Sequence, residues 1–360
     1  MKKRIRIKDI ADKAGVSTGT VDRVLHNRGN VSKKAKEKVM AVIKEQGYER
    51  NLLASALAYN RQVSIASLLP DPEIDPYWKQ TDMGVQRAIK AVQHYGLLTE
   101  TLYFDYSNPK SFVKKAKEIL KDKPDGVLFP PMFSKEAHWL LEQCEGLNIA
   151  RVIINTNIDD SSPLSYIGQD SYQSGVLGAR LLDFALNSGQ TVCIMNLDYG
   201  TKVGYHLRDK ERGFRDYFEA KVNKEVNIFR VDFEEFYDPK ALEAFLIKLL
   251  DSHPDLSGIF VTNSRAYKIV DCTNEVTDRK IKIVGFDLVE ANLHYLRENK
   301  IDFLINQNPM DQGFLGIISL FKHLLLKEAV EEIQYLPLDI VVKENAEYYV
   351  KRQTNRELIF

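Results

Sequence analysis

The stretch GVSTGTVDRVLHNRG, which spans residues 15–29, predicts a short helix behind a tight turn. Gly15 is placed to end a preceding helix in the left-handed conformation, and Ser17 can cap the helix that follows. Three apolar residues then recur at helical spacing and predict the buried face of that helix: Val21, Val24 and Leu25. The sequence therefore favours two helices that meet at a short glycine turn.

Helices are also predicted on either side of this stretch. Before Gly15, four apolar residues fall at helical spacing: Ile7, Ile10, Ala11 and Ala14. After it, Ser32 can cap a third helix that stops at Gly47. The apolar face of this third helix is Ala35, Val39, Val42 and Ile43. Together the three predict a small all-α helix-turn-helix domain over residues 1–48, with residues 17–26 as its recognition helix.

Basic residues are concentrated in the N-terminal part of the chain. Residues 1–62 hold fifteen Lys and Arg against six Asp and Glu, whereas the whole chain has 50 of each and no net charge. A basic head on an acidic body is the distribution expected when one small domain meets nucleic acid. The other residues of the recognition helix are predicted to point outward: Thr18, Gly19, Asp22, Arg23 and His26.

Residues 49–62 predict a hinge helix and linker. The segment NLLASALAYNRQ, residues 51–62, is rich in alanine and leucine but too short to form a stable helix alone. It is therefore either a linker or an element that folds on a partner.

From Val63 onward, apolar runs alternate with amphipathic helices, a pattern typical of an α/β protein with a parallel sheet covered on both faces. Strands are predicted to begin at Val63, Leu97, Gly126, Arg151, Thr191, Val226, Gly258, Lys280 and Phe303. This body, residues 63–353, is too long for one sheet and predicts two doubly wound lobes. We expect the first lobe at about 63–168 and 303–327, and the second at about 169–300 and 330–353.

Several classes of protein do not fit the sequence. It holds no apolar run long enough for a membrane span and no signal-peptide core, so we expect a cytoplasmic protein without membrane contact. Its three cysteines and seven histidines are scattered, which predicts neither a metal site nor a cofactor. The body lacks a GxGxxG turn, a GxxxxGK[ST] loop and a GxSxG elbow, so an enzyme is not expected.

Ligands of open parallel sheets bind beyond the carboxyl ends of the strands. The residues at those positions are mostly amides, carboxylates and aromatics, a set suited to binding the hydroxyl groups and ring faces of a sugar. They are residues 71–78, 130–133, 155–159, 170, 263–264, 287 and 307–308.

These features together resemble the lactose-repressor (LacI/GalR) family of transcription regulators. The head matches through IKDIADKAGVSTGTVDRVLHN, VSKKAKEKVMAVIKEQGY and NLLASALA. The body matches through DPYW, YIGQDSYQSGVLGARLL, LRDKERGF, GIFVTN, IVGFD and INQNPMDQG. The resemblance covers about residues 5–350 and implies two lobes like those of type I periplasmic binding proteins.

The resemblance also implies which residues meet DNA. Thr18 and Gly19 match the base-reading start of the recognition helix, and Leu57 matches a hinge leucine that wedges into the minor groove. The predicted DNA-binding set is Ser17, Thr18, Gly19, Thr20, Asp22, Arg23, His26, Asn30, Asn51, Ala54 and Leu57. Asp22 departs from the serine common in the family, and we hypothesise an altered operator preference.

An effector pocket is implied in the same way. Its predicted residues are Asp75, Tyr77, Trp78, Asn155, Asp170, Lys210, Asn263, Asp287 and Gln307. The carboxylates Asp75, Asp170 and Asp287 favour a neutral sugar because they would repel phosphate. A purine or nucleotide-like ring is the alternative, since Tyr77, Trp78 and Phe133 could stack on a base.

The family pattern is broken at four further places besides Asp22. Arg50 stands where the hinge usually has proline, and His26 where an asparagine usually follows the recognition helix. Lys210 replaces an arginine, and Ser264 replaces the aspartate of an Asn-Asp pair. These departures bear on the identity of the effector more than on the fold.

The resulting expectation is a homodimeric repressor that binds a palindromic DNA operator under the control of a small, sugar-like effector. A sugar-binding transport component is the less favoured alternative, because it requires export and does not explain the basic head. The C-terminal segment shows no leucine heptads, so a tetramer helix is not expected.

Overall fold

The computed structural model describes residues 5–25, 29, 31–46, 62–158, 162–198, 205–222, 224–273, 277 and 279–355. Five predicted DNA-binding residues lie outside these ranges: His26, Asn30, Asn51, Ala54 and Leu57. The predicted hinge helix falls outside them as well.

The head contains the three predicted helices, α1 (Ile7–Ala14), α2 (Thr18–Leu25) and α3 (Lys33–Gln46). Gly15 has φ 65° and ends α1, and the Oγ of Ser17 accepts a hydrogen bond from the Thr20 N–H at 3.1 Å. The buried core shared by the three helices consists of Ile10, Ala11, Ala14, Val21, Val24 and Val39. The predicted helix-turn-helix head is thus confirmed.

The body consists of two α/β lobes, each built on a six-stranded sheet. The strands of the first sheet are β1 (Val63–Pro70), β2 (Leu97–Phe104), β3 (Gly126–Phe129), β4 (Ala150–Ile154), β5 (Ser165–Gly168) and β11 (Ile333–Tyr335). Those of the second are β6 (Thr191–Leu197), β7 (Asn227–Phe233), β8 (Leu256–Val261), β9 (Lys282–Phe286), β10 (Phe303–Asn306) and β12 (Asp339–Val341).

The two sheets have the same topology. Their strand orders are β11-β5-β4-β3-β1-β2 and β12-β10-β9-β8-β6-β7, and every pairing is parallel except the antiparallel β10-β12 pair. The helices of the body are α4 (Tyr77–Val92), α5 (Pro109–Asp122), α6 (Ser134–Gly146), α7 (Ser171–Asp183), α8 (Tyr205–Glu219), α9 (Pro239–Ser252), α10 (Ala266–Thr273), α11 (Glu290–Arg297), α12 (Pro309–Phe321) and α13 (Lys343–Asn355). Two doubly wound lobes were the prediction, and the structure confirms them.

Two boundaries of the predicted lobes are wrong. Strand β10 was placed in the first lobe but pairs with β9 of the second, whereas β11 was placed in the second lobe but pairs with β5 of the first. The chain therefore crosses between the lobes three times, near residues 169, 307 and 337. Hydrophobic pattern alone does not say which sheet a buried strand joins, and this caused the error.

Glycines let two pairs of helices approach unusually closely. In the first lobe, a Cβ at Gly84 of α4 would lie 2.0 Å from the carbonyl oxygen of Met310 in α12. In the second, a Cβ at Gly175 of α7 would lie 1.9 Å from the carbonyl oxygen of Lys210 in α8. Both distances are shorter than van der Waals contact, so a side chain at either glycine would separate the helices. Within the described ranges, no helix is long and apolar enough to cross a membrane.

Candidate functional site

A cleft with a free volume of about 40 Å³ lies between the two lobes, beyond the carboxyl ends of their strands. Eight of the nine predicted effector residues line it: Asp75, Tyr77, Trp78, Asn155, Lys210, Asn263, Asp287 and Gln307. Residues from distant parts of the sequence therefore converge on one cavity.

Asp170 is the predicted effector residue that does not line the cleft. Its Oδ1 accepts a hydrogen bond from the Gln173 N–H at 3.0 Å, and Asp170 is the N-cap of α7. Capping of this kind satisfies a backbone N–H that the helix leaves unpaired. The placement of Asp170 in the pocket was therefore wrong. Its neighbour Gln169 donates a hydrogen bond from Nε2 to the side chain of Gln307.

The first lobe contributes a tyrosine and an amide that are bonded to each other. The Nδ2 of Asn155 donates to the hydroxyl of Tyr77 at 2.6 Å, and the ring of Tyr77 packs edge-on against Trp78 at 4.9 Å. Burial raises the pKa of Tyr77 well above its usual value, so its hydroxyl stays protonated. The hydroxyl can then donate a hydrogen bond to a ligand oxygen.

The second lobe contributes a buried lysine and a buried aspartate. The Nζ of Lys210 donates to the carbonyl oxygen of Thr262 at 2.8 Å and lies 3.7 Å from the ring centre of Phe286. Asp287 accepts from both the backbone and the side-chain nitrogen of Gln307. Burial lowers the pKa of Lys210 and raises that of Asp287, while their mutual attraction opposes both changes.

Six further residues line the cleft and were not in the predicted set: Tyr106, Met132, His206, Thr262, Ser264 and Arg265. All except His206 follow the end of a strand by one to four residues. Met132 and Ser264 lie in the ranges 130–133 and 263–264 that the position rule had marked, and the same rule could have found Tyr106, Thr262 and Arg265. His206 lies in helix α8, and no signal in the sequence marked it.

Contacts cross from one lobe to the other around the cleft. An ion pair joins Asp75 to Arg265 at 2.6 Å. Three hydrogen bonds also cross: Tyr106 to Asp198 at 3.1 Å, Thr156 to His206 at 3.1 Å and Gln80 to the carbonyl oxygen of Leu288 at 3.4 Å. The two lobes are thus closed against each other in this structure.

The charges in the cleft are balanced. Asp75 and Asp287 are matched by Lys210 and Arg265, and burial lowers the pKa of His206 to about 3, which keeps its ring neutral. A cleft without net charge favours an uncharged ligand over a phosphorylated one. In the described part of the chain, no group of His, Cys, Asp and Glu side chains is arranged to hold a metal ion.

Two family models match the chain. Residues 6–51 match the lacI family of bacterial regulatory proteins, and residues 65–328 match a periplasmic binding protein domain. The chain belongs to the lacI family. It is a DNA-binding transcription regulator, and its body has the fold that the resemblance implied.

Named relatives of this lacI-family regulator are operon repressors. The ribose operon repressor of Halalkalibacterium halodurans is 28% identical over 344 residues, which cover 94% of this chain and 96% of that protein. The sucrose operon repressor of Staphylococcus xylosus is 30% identical over 310 residues, covering 81% and 88%. These relatives are regulators and not enzymes.

Solved structures agree with the fold. A protein from Bacteroides fragilis assigned as a LacI transcriptional regulator is 28% identical with a TM-score of 0.71, covering 80% of this chain and all of that one. A glucose-galactose binding protein from Geobacillus stearothermophilus has a TM-score of 0.69 at 21% identity, covering 79% and 99%. The second likeness concerns the fold alone.

Helix α2 lies within the residues that match the lacI family model. Ser17, Thr18, Gly19 and Arg23 are exposed, while Thr20 and Asp22 are half-buried. The Nε of Arg23 donates to the carbonyl oxygen of Gly19 at 3.2 Å. This bond holds the arginine along its own helix.

Proposed function

We propose that this lacI-family regulator is a repressor whose operator affinity is controlled by a neutral sugar bound in the cleft. The observation that carries the proposal is the cleft itself, which gathers hydroxyl-binding side chains and balanced charges between the two lobes. The relatives named as ribose and sucrose operon repressors support the same class of effector.

Six side chains are proposed to bind the hydroxyl groups of the sugar: Tyr77, Asn155, Lys210, Asn263, Asp287 and Gln307. Between them they offer amide, carboxylate, phenol and ammonium groups, which can donate to or accept from adjacent hydroxyls. Trp78 lies beside them and supplies apolar surface for the carbon-bound hydrogens of the ring.

The arrangement of the aromatic residues argues against a purine. Tyr77 and Trp78 pack edge-to-face on each other and are 6% and 2% exposed, so neither has a wide free face on which a base can stack. Phe133 packs against Phe104 and Phe112 in the core of the first lobe. Stacking of a planar base requires an accessible face, and a sugar needs only an edge or a partial face.

A thermal-shift panel of neutral sugars, sugar phosphates and purines tests the effector class. A ligand at 100 times its dissociation constant stabilises the protein by about 2.7 kcal/mol, which the assay detects readily. We expect stabilisation by at least one neutral sugar. Stabilisation by purines alone would contradict the proposal.

We further propose that the regulator acts by binding and not by catalysis, in the cytoplasm, as a homodimer on a palindromic operator. Two heads related by twofold symmetry would place their recognition helices in successive major grooves of such a site. Selection of bound fragments from a random DNA pool tests this directly. A palindrome is expected, and a selected site without twofold symmetry would contradict the dimeric mode of binding.

The predicted hinge and Asp22 are tested on the selected operator. Leu57→Ser should weaken operator binding strongly and leave effector binding unchanged, because it removes the proposed minor-groove wedge. Asp22→Ser should change the sequence preference or the salt dependence of binding. Sedimentation of a monomer at working concentration would contradict the homodimer.

A further inference from the structure

Asp75 and Arg265 connect the two lobes through a buried ion pair. Asp75 follows strand β1 of the first lobe, and Arg265 immediately precedes α10 of the second. The Nη2 of Arg265 lies 2.6 Å from the Oδ2 of Asp75, and the two side chains are 9% and 12% exposed. Removing one partner of such a pair while the lobes stay closed is costly, because the other charge is left buried without compensation.

Arg265 is fixed to its own lobe independently of Asp75. Its Nη1 donates to the carbonyl oxygen of Leu197 at 3.0 Å, at the end of β6. Its guanidinium lies 4.7 Å from the ring centre of Phe236, which follows β7. If the lobes separate, these contacts carry Arg265 away with the second lobe.

The first lobe holds Arg265 with an aromatic ring as well as a carboxylate. The guanidinium lies 5.4 Å from the ring centre of Tyr106, and the hydroxyl of Tyr106 donates to Asp198 of the second lobe at 3.1 Å. Opening of the cleft would therefore break the ion pair, the cation–π contact and a hydrogen bond together.

Asp75 has both carboxylate oxygens engaged. Its Oδ1 accepts from the Tyr77 N–H at 3.1 Å, and its Oδ2 pairs with Arg265. A ligand hydroxyl would have to share these oxygens with stronger, charge-assisted partners. Asp287 also has both oxygens engaged, but only by uncharged nitrogens of Gln307 within the second lobe. The ion pair across the cleft sets Asp75 apart and points to a role in holding the lobes together.

We infer that Asp75 and Arg265 form a cross-cleft latch that holds the lobes closed in the geometry the effector needs. The latch acts through the positions of other residues, so both are positioning residues. By raising the fraction of molecules in the closed state, the latch raises the apparent affinity for the effector. The inference has two tests. Only the test that measures effector affinity rests on the proposed function.

The ligand-free arm measures hydrogen exchange in the full chain. Wild type is compared with Asp75→Asn, Arg265→Met and the double variant. The double variant removes both charges and leaves neither unpaired, so it keeps the test valid if a single variant folds poorly. Exchange is followed in the peptides that contain Thr156 and His206, because these two residues make a separate contact between the lobes at 3.1 Å. Each single variant should exchange there about tenfold faster than wild type.

Arg279→Met is the matched control. Arg279 donates to the carbonyl oxygens of Leu250, His253 and Leu256, all within the second lobe. Its replacement removes the same chemical group without touching the cleft. Exchange at Thr156 and His206 should therefore stay at the wild-type rate in this control. Unchanged exchange in both Asp75→Asn and Arg265→Met would overturn the latch.

The effector arm measures affinity for the neutral sugar that stabilises wild type in the thermal-shift panel. Each single variant should bind it about tenfold more weakly, and the double variant no more weakly than the worse single variant. Additive losses would mean two independent ligand contacts and would overturn the latch. If no sugar binds wild type, the proposed function fails, while the exchange measurement still decides the latch.

Discussion

Asn155 and Asp287 occupy the same position in the two lobes. Each directly follows the fourth strand of its lobe in the left-handed conformation, with φ 69° and 66°. Each backbone N–H donates to the fifth strand, Asn155 to Ile167 at 3.2 Å and Asp287 to Ile305 at 3.0 Å. Asn and Asp tolerate this conformation better than other residues with a side chain, so one backbone geometry supplies an amide and a carboxylate to opposite walls of the cleft.

Lys210→Met should weaken effector binding and lower stability. Lys210 is 1% exposed, and methionine fills the same space but leaves Asp287 buried without the opposite charge that attracts it. We expect the melting temperature to fall for this reason. Effector affinity should fall by more than about tenfold, because a charge-assisted hydrogen-bond donor is lost. Calorimetric titration with the stabilising sugar measures the second effect.

Lys282→Met provides the comparison for that variant. Lys282 pairs with Asp302 at 2.7 Å, and its side chain is 42% exposed. It lies outside the lining of the cleft, so effector affinity should be that of wild type. Equal affinity losses in the two variants would mean that Lys210 acts only through stability.

His206 should make the protein sensitive to acid. Burial lowers the pKa of His206 to about 3 in the folded chain, against its ordinary 6.5. The unfolded chain therefore binds more protons between these values, and the stability from this group is complete above pH 6.5 and lost as the pH falls. Between pH 7 and pH 5, the free energy of unfolding of wild type should fall by about 1 to 2 kcal/mol more than that of His206→Asn.

Urea denaturation at the two pH values measures this difference. His94→Gln is the control, because His94 is exposed and lies outside the cleft lining. That variant should lose stability on acidification as wild type does. The interpretation of His206 fails if His206→Asn and wild type lose the same amount.

Gly175→Ala should displace the helix that carries Lys210 and so disturb the cleft. An added Cβ would lie 1.9 Å from the carbonyl oxygen of Lys210, so helices α7 and α8 must separate. Overpacking of this kind costs about 1 to 3 kcal/mol, and it displaces the backbone that carries the Lys210 side chain. We expect lower stability and weaker effector binding, measured by urea denaturation and calorimetry.

Gly146→Ala is the matched control for Gly175→Ala. Gly146 ends α6, and an added Cβ there would meet no atom within 4 Å. Alanine is favoured over glycine in a helix by about 0.5 to 1 kcal/mol, so stability should rise slightly and effector affinity should not change. Destabilisation by both substitutions would contradict the close contact between α7 and α8.

Gly19→Ala should stabilise the head and weaken operator binding. A Cβ at Gly19 would have ordinary contacts, with Arg23 and Ser17 both at 3.8 Å, and alanine favours a helix by up to about 1 kcal/mol. Glycine at this exposed position on α2 therefore has no packing explanation, and we predict that the helix approaches base edges there. Fluorescence anisotropy with the selected operator should show weaker binding, and equal or tighter binding would refute the close approach.

The sequence predicted the order of the elements well because the central strands of both sheets are largely buried and bounded by turn residues. Strands β5, β11 and β12 span only three or four residues, too few for a hydrophobic period to appear. The third crossover between the lobes, which contains Pro337, was predicted too early in the chain, between residues 327 and 330, for the same reason. Long-range pairing decides these short strands, and local pattern carries little information about it.

The site was predictable where a residue directly follows a strand. Asn155 and Asp287 were found by this rule, because parallel strands bring their carboxyl ends to one edge. Asp170 also follows a strand but is used as a helix cap. His206 and the pairing of Asp75 with Arg265 depend on how the lobes close, which strand positions do not encode.

In the proposed function, a sugar in the cleft changes how tightly the head holds DNA. The most direct measurement is the dissociation constant of the selected operator by fluorescence anisotropy, with and without the stabilising sugar. Wild type should shift by about tenfold or more, while Lys210→Met should bind operator but show no shift. An operator dissociation constant in wild type that the bound sugar leaves unchanged would contradict the claim.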